Sequence, residues 1–330
     1  MPESEGQQNS VLESHDVRGA RFVVTGGAGF IGSHLVRRLC DAGAERVTVV
    51  DSLRYGDVAN LTGYSAGVEL VQHTLGSDDI AELGSAVAGC DYLFHLAAEK
   101  HNQSKDEPTR VVRANIEGTL ALYELAARAK VGRIVFSSSL YAYGRTSGGP
   151  LLESEVPLPR TVYGVSKLAG EHLLRYIEAQ YGVPWVGLRY LFVYGPRQFA
   201  GMGYKSVILK SFERLLRGEA PIVFGDGEQA LDYVFVDDVV EATLRAALVG
   251  GGGEVLNVAS GVPTSVNDLL DLMIAISGRR VEKLRAPADW TAGTKRYGDP
   301  ELAAERLGWR ATTSLRDGLQ RTWDWLREAG

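Results

Sequence analysis

Three things are scarce in this chain of 330 residues: cysteine, long apolar runs and an excess of positive charge. The two cysteines, Cys40 and Cys90, are too few for a disulfide scaffold and indicate buried free thiols in a reducing, cytoplasmic compartment. No apolar run reaches the roughly 20 residues of a transmembrane helix, so we expect no membrane partner. The net charge of −6 argues against nucleic-acid binding. The spacing of histidine and cysteine predicts no metal site.

The N-terminal segment, residues 1–19, is polar and lacks the apolar stretch of a secretory signal. We therefore expect a disordered tail there, since terminal polar segments are poorly ordered unless something holds them down. The folded part is expected to begin at residue 20.

Short β-branched segments alternate with helical ones through the first part of the chain. Strands are predicted at 22–25, 47–51, 68–72, 92–96, 134–137 and 185–190. Helices are predicted near 31–43, 78–88, 108–129 and 164–181. This alternation is typical of an α/β protein with a doubly wound, Rossmann-type parallel sheet, which binds its ligand at the carboxyl ends of the strands.

After about residue 195 the pattern changes. The predicted elements are helices near 204–217, 237–248, 265–277 and 315–328, with short strands near 222–224 and 254–258. We interpret residues 20–195 as a Rossmann domain that binds a cofactor and residues 196–330 as mainly a smaller C-terminal α/β lobe that binds a substrate. Later segments of the second half are free to return to the sheet.

A glycine-rich loop follows the first predicted strand. Gly26 allows a tight turn, Gly29 lets the backbone approach a pyrophosphate, and Gly32 lets the next helix pack closely on the strand. The N-terminus of that helix then presents free N–H groups to the phosphates. This arrangement predicts dinucleotide binding.

Asp51 ends the second predicted strand, 19 residues after Gly32. A carboxylate there accepts hydrogen bonds from the adenosine ribose and repels a 2′-phosphate, which favours NAD over NADP. Arg54 could soften that preference. The alternative is that Asp51 only caps the next segment.

A tyrosine and a lysine, Tyr163 and Lys167, stand four residues apart in a predicted helix, so their side chains share one face. A nearby ammonium and the positive charge of a nicotinamide favour the phenolate and lower the tyrosine pKa, so that Tyr163 can act as a base toward a hydroxyl. Ser139, at the end of a predicted strand, could hydrogen-bond the same substrate oxygen. The alternative is an ordinary surface contact on a helix.

With these motifs the chain resembles the extended short-chain dehydrogenase/reductases, the family of nucleotide-sugar epimerases and dehydratases, from about residue 20 to residue 328. The segments that carry the resemblance are Thr25–Gly32, His95–Ala98, Asn115–Thr119, Phe136–Ser139, Tyr143–Gly144, Tyr163–Lys167, Leu188–Tyr190, Tyr194–Gln198, Phe224–Gln229 and Val236–Val239. The resemblance implies tightly held NAD, a sugar carbon that is oxidised and then reduced again, and a homodimer joined through the helices near 108–129 and 164–181.

The resemblance also implies a set of site residues. Those expected at the cofactor are Gly26, Gly29, Phe30, Ile31, Gly32, Asp51, Ser52, Leu75, Leu96, Ala97, Ala98, Lys100, Asn115, Ser137, Tyr163, Lys167, Tyr190 and Val193. The expected catalytic residues are Ser139, Tyr163 and Lys167. Those expected at the substrate are Ser139, Tyr141, Phe192, Arg197, Val207, Phe224 and Arg296.

The chain departs from its relatives on the substrate side. The 4,6-dehydratases carry an Asp–Glu pair where this chain has Leu140 and Tyr141, and loss of water needs a proton donor and a base. Most relatives have asparagine at the position of Phe192 and a diphosphate-binding arginine at that of Leu231. Either other cations replace these contacts, or the substrate is not an ordinary nucleotide diphosphosugar. The cations available are Lys105, Lys210, Lys295 and Arg296.

We therefore predict an NAD-dependent epimerase of a nucleotide-diphosphate sugar, with a UDP-sugar favoured, acting through a transient 4-keto sugar. The alternatives on the same scaffold are a nucleotide-sugar dehydratase, a hexuronate decarboxylase and a keto-sugar reductase. A non-catalytic NAD-binding sensor is a further alternative, which Phe192 and Leu231 motivate and the intact Ser139, Tyr163 and Lys167 oppose.

Overall fold

The computed structural model describes residues 17–64, 67–144, 148–198, 205–289 and 291–329. Its strands are β1 (Arg21–Thr25), β2 (Arg46–Asp51), β3 (Val68–Gln72), β4 (Tyr92–His95), β5 (Arg133–Ser139), β6 (Trp185–Tyr190), β7 (Phe192–Tyr194), β8 (Ile222–Phe224), β9 (Ala230–Phe235), β10 (Glu254–Val258), β11 (Pro263–Ser265), β12 (Leu284–Ala286) and β13 (Lys295–Arg296). Its α-helices are α1 (Phe30–Asp41), α2 (Ala81–Val87), α3 (Gln103–Asp106), α4 (Pro108–Val112), α5 (Gly118–Arg128), α6 (Val162–Tyr181), α7 (Val207–Leu216), α8 (Val236–Leu248), α9 (Val266–Ser277), α10 (Glu301–Leu307) and α11 (Leu315–Ala329).

Seven parallel strands form the main sheet, in the order β10-β6-β5-β4-β1-β2-β3. Helices α1 and α8 pack together, and so do α2, α5 and α6. Most of the strands are buried, because helices cover the sheet, which explains why they read as continuous β-branched runs in the sequence. The predicted Rossmann-type α/β fold is confirmed.

The second half of the chain contributes to both parts of the molecule. Strand β10 pairs with β6 in parallel and completes the main sheet, and α8 packs against β5 and β6. The remaining strands form two small sheets, one of β11, β9, β13 and β7 and one of β12 and β8. Residues 196–330 are therefore not one separate lobe, since their central segment belongs to the main sheet.

The helix predicted over 108–129 is interrupted. Helix α4 is followed by one turn of π-helix, Arg113–Glu117, before α5 begins. The wider turn lies at Asn115, whose side chain reaches the ligand cavity. π-Helical turns of this kind are often found at functional sites.

The start of the folded part differs from the prediction. Val17 is buried among the side chains of the main core, and the N–H of Gly19 donates to the carbonyl of Gly43. The residues from Val17 to Gly19 are therefore ordered, because Val17 covers apolar surface at the base of the sheet. The rest of the predicted tail, residues 1–16, lies outside the described residues.

Both cysteines are free thiols, and Cys90 is buried. In the described ranges, no helix is long and apolar enough to cross a membrane. Those same ranges contain no group of three or more histidine, cysteine or acidic side chains that could hold a metal ion.

Candidate active site

A cavity of about 1040 Å³ opens at the carboxyl ends of the main-sheet strands. All eighteen residues expected at the cofactor line it, and so do Ser139, Tyr141, Phe192, Val207 and Phe224 of the substrate set. Its volume is at the upper end of the range of about 300–1,000 Å³ for small-molecule sites. The cavity therefore has room for an extended dinucleotide with a second ligand beside it.

The glycine loop has the geometry that its sequence predicts. Gly26 has a φ of +73°, and a Cβ atom on it would lie 2.8 Å from the backbone nitrogen of Ala97. A Cβ atom on Gly32 would overlap the carbonyl oxygen of Gly26, so glycine is needed for α1 to pack this closely. A Cβ atom on Gly29 would meet little besides that carbonyl, at 3.2 Å, so this glycine faces the open cavity.

The Asp51 carboxylate is held by the backbone at the end of β2. It accepts hydrogen bonds from the N–H groups of Leu53 (2.8 Å) and Ala28 (3.0 Å). Burial raises the pKa of Asp51, and these two hydrogen bonds oppose the rise. Asp51 lines the cavity, where its carboxylate is available to ribose hydroxyls as well as to the backbone.

Arg54 faces the loop after β4. Its guanidinium binds the carboxylate of Glu107 at 2.7 Å and the hydroxyl of Tyr55 at 2.9 Å, and Arg54 does not line the cavity. The possibility that Arg54 accommodates a 2′-phosphate therefore has no support in this arrangement. The Tyr55 hydroxyl donates in turn to Glu99 at 2.8 Å, which ties the loops after β2 and β4 together.

Asn115 fastens the loop after β4 to α6. Its side-chain oxygen accepts from the N–H of Glu99 at 2.7 Å, and its side-chain nitrogen donates to the Glu99 carbonyl and to the hydroxyl of Ser166. The π-helical turn brings Asn115 into this position. Sequence reasoning identified the residue from a family motif but did not predict the wider turn.

The three expected catalytic residues meet on one side of the cavity. Tyr163 and Lys167 lie one turn apart on α6, and the Lys167 Nζ is 5.7 Å from the centre of the Tyr163 ring. That Nζ donates a 2.7 Å hydrogen bond to the carbonyl of Ser137. Ser139, at the end of β5, is close enough to Tyr163 to lower the pKa of its phenol.

Burial dominates the electrostatics of these groups. It lowers the pKa of Lys167 to about 7, against the attraction of the Glu171 carboxylate, and it raises the pKa of Tyr163. Ser139 opposes this rise in the pKa of Tyr163 only in part. The cost of desolvating the phenolate outweighs the help that the protein's own groups provide. The predicted lowering of this pKa stays a prediction for the complex, in which the positive charge of the nicotinamide joins that of Lys167.

A buried ion pair supports this side of the cavity. Glu171, one turn after Lys167 on α6, binds Arg189 of β6 through two hydrogen bonds of 2.9 and 2.7 Å and accepts a third from Ser138. The Arg189 guanidinium also lies over the ring of Tyr143. Sequence reasoning missed this pair, although a charged residue within an otherwise apolar strand such as β6 is the signal that could have revealed it.

Two residues of the predicted substrate set lie elsewhere. Arg197 does not line the cavity, and its guanidinium donates instead to the hydroxyl of Tyr64 (3.2 Å) and to the carbonyl of Asn60. Arg296 does not line it either, but its Cζ atom is 5.9 Å from the ring of Tyr141. Family motifs identify these arginines, whereas their directions depend on tertiary packing.

Cations on α7 lie on the substrate side. Lys210 and Arg214 of α7 and Arg217, which directly follows it, line the cavity at helical spacing. Lys105 of α3 lines the cavity too. Sequence reasoning considered Lys105 and Lys210 and missed Arg214 and Arg217, which are also paired with Glu219. The cavity lining therefore includes several cations, although no arginine stands at position 231.

Comparison with known proteins identifies the family of this chain. Residues 22–259 match the model of the NAD dependent epimerase/dehydratase family. The chain belongs to this family. It is 35% identical over 311 residues to a UDP-glucose 4-epimerase of Mycolicibacterium smegmatis, covering 93% of this chain and 98% of that protein. It is 30% identical over 318 residues to a dTDP-glucose 4,6-dehydratase of an Actinoplanes species, with coverage of 93% and 98%.

Solved structures agree with this assignment to the NAD-dependent epimerase/dehydratases. A UDP-glucose 4-epimerase of Thermotoga maritima, determined with UDP-glucose, superposes with a TM-score of 0.86 at 37% identity and covers 94% of this chain and 99% of that chain. The prediction of an NAD-dependent enzyme of the epimerase/dehydratase kind is confirmed, and so is NAD as its cofactor.

The residues present fit NAD. The glycine loop leaves the space that a pyrophosphate needs, and α1 begins at Phe30 with no side-chain cap on its first N–H groups. The Asp51 carboxylate and the Lys167 ammonium both line the cavity, where ribose hydroxyls could bind them. Small residues, Ala97 and Ala98, follow β4 and allow close approach of a planar ring.

Proposed function

We propose that this protein is an NAD-dependent epimerase that inverts C4 of a nucleotide-diphosphate sugar, with a UDP-sugar as the favoured substrate. The observation that carries the proposal is the meeting of Ser139, Tyr163 and Lys167 in the same cavity as the glycine loop. The basic face of α7 supports it, since Lys210 and Arg214 offer charge to a diphosphate.

The proposed chemistry assigns one role to each side chain. Tyr163 accepts the proton of the C4 hydroxyl, and Ser139 holds the same oxygen by a hydrogen bond. Lys167 orients the cofactor ribose and adds positive charge near Tyr163. Bound NAD supplies the acceptor and later the donor of the hydride. The 4-keto sugar rotates in the site so that its other face meets the hydride donor, and Tyr163 then returns the proton to the oxygen.

Epimerisation is favoured over dehydration by the residues beside Ser139. Loss of water requires an acid for the departing hydroxyl, and Leu140 has no titratable group. C4 epimerisation needs no acid or base beyond Tyr163. A dehydratase remains the second candidate, because a dTDP-glucose 4,6-dehydratase is 30% identical to this chain.

The test is incubation of the purified protein with UDP-glucose, UDP-N-acetylglucosamine, UDP-glucuronic acid and dTDP-glucose in separate reactions. We expect a product of unchanged mass from at least one UDP-sugar, without added NADH. A loss of 18 mass units would identify a dehydratase instead. The Tyr163→Phe variant should lose activity by about 10²- to 10⁴-fold, since it lacks the proton acceptor. Conversion of none of these sugars would reject the proposal.

A sharper test of the phosphate side uses two lysines. Lys210→Gln should raise KM more than it lowers kcat, because the proposed contact is made equally in the ground state and the transition state. Lys130 lies far from the cavity, in the turn before β5, and Lys130→Gln is the matched control. Equal KM values for the two variants would remove Lys210 from the substrate site.

We also propose a homodimer joined through the helical segment 108–128 and α6. Val165 and Tyr176 support this, since they are eleven residues apart on one face of α6 and are both exposed. Val112 is exposed on the neighbouring α4. Light scattering after size exclusion should give the mass of two chains, and Tyr176→Glu should shift it toward one. A single-chain mass for the unaltered protein would reject the dimer.

A further inference from the structure

Two loops meet across the carboxyl end of β1. In the main sheet, β1 lies between β4 and β2, and the glycine loop follows β1. The loop after β2 and the segment after β4 therefore stand on either side of the glycine loop, about 10 Å apart at two strand spacings. A contact between them has to pass over the end of β1. Side chains of both loops make such contacts, none of which the proposed reaction uses.

Three contacts cross this gap. The Tyr55 hydroxyl donates to the Glu99 carboxylate at 2.8 Å. The Arg54 guanidinium binds the Glu107 carboxylate at 2.7 Å, and the Lys100 Nζ lies 4.3 Å from the centre of the Tyr55 ring. We call the side chains of Arg54, Tyr55, Glu99 and Glu107 the strap. Tyr55 and Glu99 line the cavity, whereas Arg54 and Glu107 do not, so the strap borders the dinucleotide site without facing it throughout.

The side of the strap that belongs to β4 is fixed. Asn115 binds both the N–H and the carbonyl of Glu99, and Arg110 donates to the Glu99 carboxylate at 2.8 Å. The Glu99 side chain is only 7% exposed, so water competes little for its oxygens. This carboxylate is therefore a firm acceptor for the Tyr55 hydroxyl.

The side that belongs to β2 is held in place by its contacts. Leu53 has a φ of +58°, a left-handed conformation that opposes its Cβ atom, and its N–H donates to Asp51 at 2.8 Å. A Cβ atom on Gly56 would lie 2.8 Å from that of Ala28, so this loop lies directly against the glycine loop. A backbone in a disfavoured conformation persists only where its surroundings hold it. Loss of the strap should therefore let residues 52–57 lift away from the glycine loop.

We propose that the strap closes over the dinucleotide site and sets the rates at which NAD enters and leaves it. NAD held on the glycine loop can leave only when residues 52–57 lift, because the strap crosses above that loop. The strap joins protein groups to one another and not to the cofactor. It therefore slows entry and release by the same factor and leaves the affinity for NAD nearly unchanged.

Slow release matters for the proposed reaction. The sugar is oxidised and then reduced on the same cofactor molecule, so the cofactor has to stay until the ketone has been reduced. Early release would leave a free 4-keto sugar in solution, with its two electrons and the hydride carried away as NADH. The role of the strap in preventing this loss rests on the proposed function, whereas its effect on the exchange of NAD does not.

Exchange of the cofactor tests the strap. The purified holoenzyme is mixed with an excess of isotopically labelled NAD, and mass spectrometry of the protein-bound nucleotide over time gives the release rate. Protein from which the nucleotide has been removed is mixed with the same labelled NAD, which gives the entry rate. Tyr55→Phe keeps the ring beside Lys100 and removes the hydroxyl. We expect it to raise both rates roughly tenfold, through loss of a hydrogen bond to a charged group, and to change Kd less than about threefold.

Arg54→Gln distinguishes the strap from a direct contact with the cofactor, because Arg54 does not line the cavity. We expect both rates to rise about three- to fivefold, which is a smaller effect because the pair of Arg54 and Glu107 is partly exposed. The double variant Arg54→Gln/Tyr55→Phe should raise the rates by less than the product of the two single effects, since both side chains belong to one network. Arg310→Gln is the matched control, because it breaks an exposed pair with Glu301 outside the cavity, and it should leave both rates unchanged.

The possible outcomes are distinguishable. Faster release with unchanged entry in Tyr55→Phe would show a direct contact with the cofactor and overturn the strap, and unchanged rates in Arg54→Gln would overturn it too. With a UDP-sugar that the protein epimerises, Tyr55→Phe should release more free 4-keto sugar and NADH than the unaltered protein, both measured by mass spectrometry. Faster exchange without these products would overturn the role of the strap in the reaction. Failure of every sugar to react would overturn the proposed function, while the two exchange rates would still decide whether the strap controls NAD.

Discussion

The buried pair of Glu171 and Arg189 allows a quantitative prediction about stability. The two side chains are only 3% and 4% exposed, so water screens their attraction very little. Glu171→Gln keeps the shape of the side chain and removes its charge. The Arg189 guanidinium would then remain buried without a counter-ion, and its Nη1 atom already has no hydrogen-bond partner among the described residues.

Breaking one side of such a pair costs about 3–5 kcal/mol of unfolding free energy. The unfolding entropy of globular proteins is about 2.1 cal/mol/K per residue, or roughly 0.7 kcal/mol/K for 330 residues. Dividing the loss of free energy by the unfolding entropy gives an expected fall in melting temperature of about 4–7 °C. The fall is measured by thermal unfolding of the two proteins, with urea titration as an independent measure of the free energy.

The control is another glutamate–arginine pair, Glu301 and Arg310, which are 68% and 54% exposed. Glu301→Gln should leave the melting temperature almost unchanged, because solvent screens an exposed pair. Equal shifts for Glu171→Gln and Glu301→Gln would refute the reasoning, since burial would then have no effect on the strength of the pair.

Three further predictions concern the cofactor side. Gly32→Ala should yield protein without bound NAD, since the added Cβ overlaps the Gly26 carbonyl oxygen; nucleotide released on denaturation measures this, and a normal NAD content would contradict it. Asp51→Asn should weaken NAD binding about tenfold or more and narrow the difference between the affinities for NAD and NADP. Calorimetry on protein from which bound nucleotide has been removed checks both affinities. Burial lowers the pKa of Lys167 to about 7, whereas an unfolded lysine titrates near pH 10.4, so the unfolded chain binds the extra proton in between. The free energy of unfolding without cofactor should therefore rise with pH between 7 and 10 through this group, and Lys167→Met should remove that contribution. The urea midpoints of both proteins are measured at pH 7 and pH 9. An equal change of midpoint in the unaltered protein and in Lys167→Met would refute the prediction.

Local signals in the sequence predicted most of the main sheet. All six strands predicted before residue 195 are present within two residues of their predicted bounds, because buried parallel strands are continuous β-branched runs. The short strands β7, β9 and β11–β13 were missed. They pair with partners far away in the chain, as in the register of Arg296 with Leu231, and a stretch of two to six residues carries little periodicity of its own.

The cofactor side of the site was more predictable than its substrate side. The glycines mark positions where the backbone needs space or a positive φ, and their spacing is visible in the sequence. The role of Asp51 at the ribose is predicted from its position at the end of a strand. The directions of Arg197 and Arg296, and the stacking of His101 on Tyr141, depend on how separate loops pack. The pKa of Tyr163 depends on burial, which spacing along one helix does not reveal.

The late arrival of β10 in the main sheet has a consequence for synthesis of the chain. Strand β6 ends at residue 190 and its edge partner β10 ends at residue 258, which is 68 residues later. At roughly 5–20 residues per second, a ribosome needs about 3–14 s to make that stretch. During this interval β6 is an uncovered sheet edge, able to pair with other strands. The nascent enzyme should therefore depend most on chaperones in this interval, after its cofactor loop has been made and before its sheet is complete.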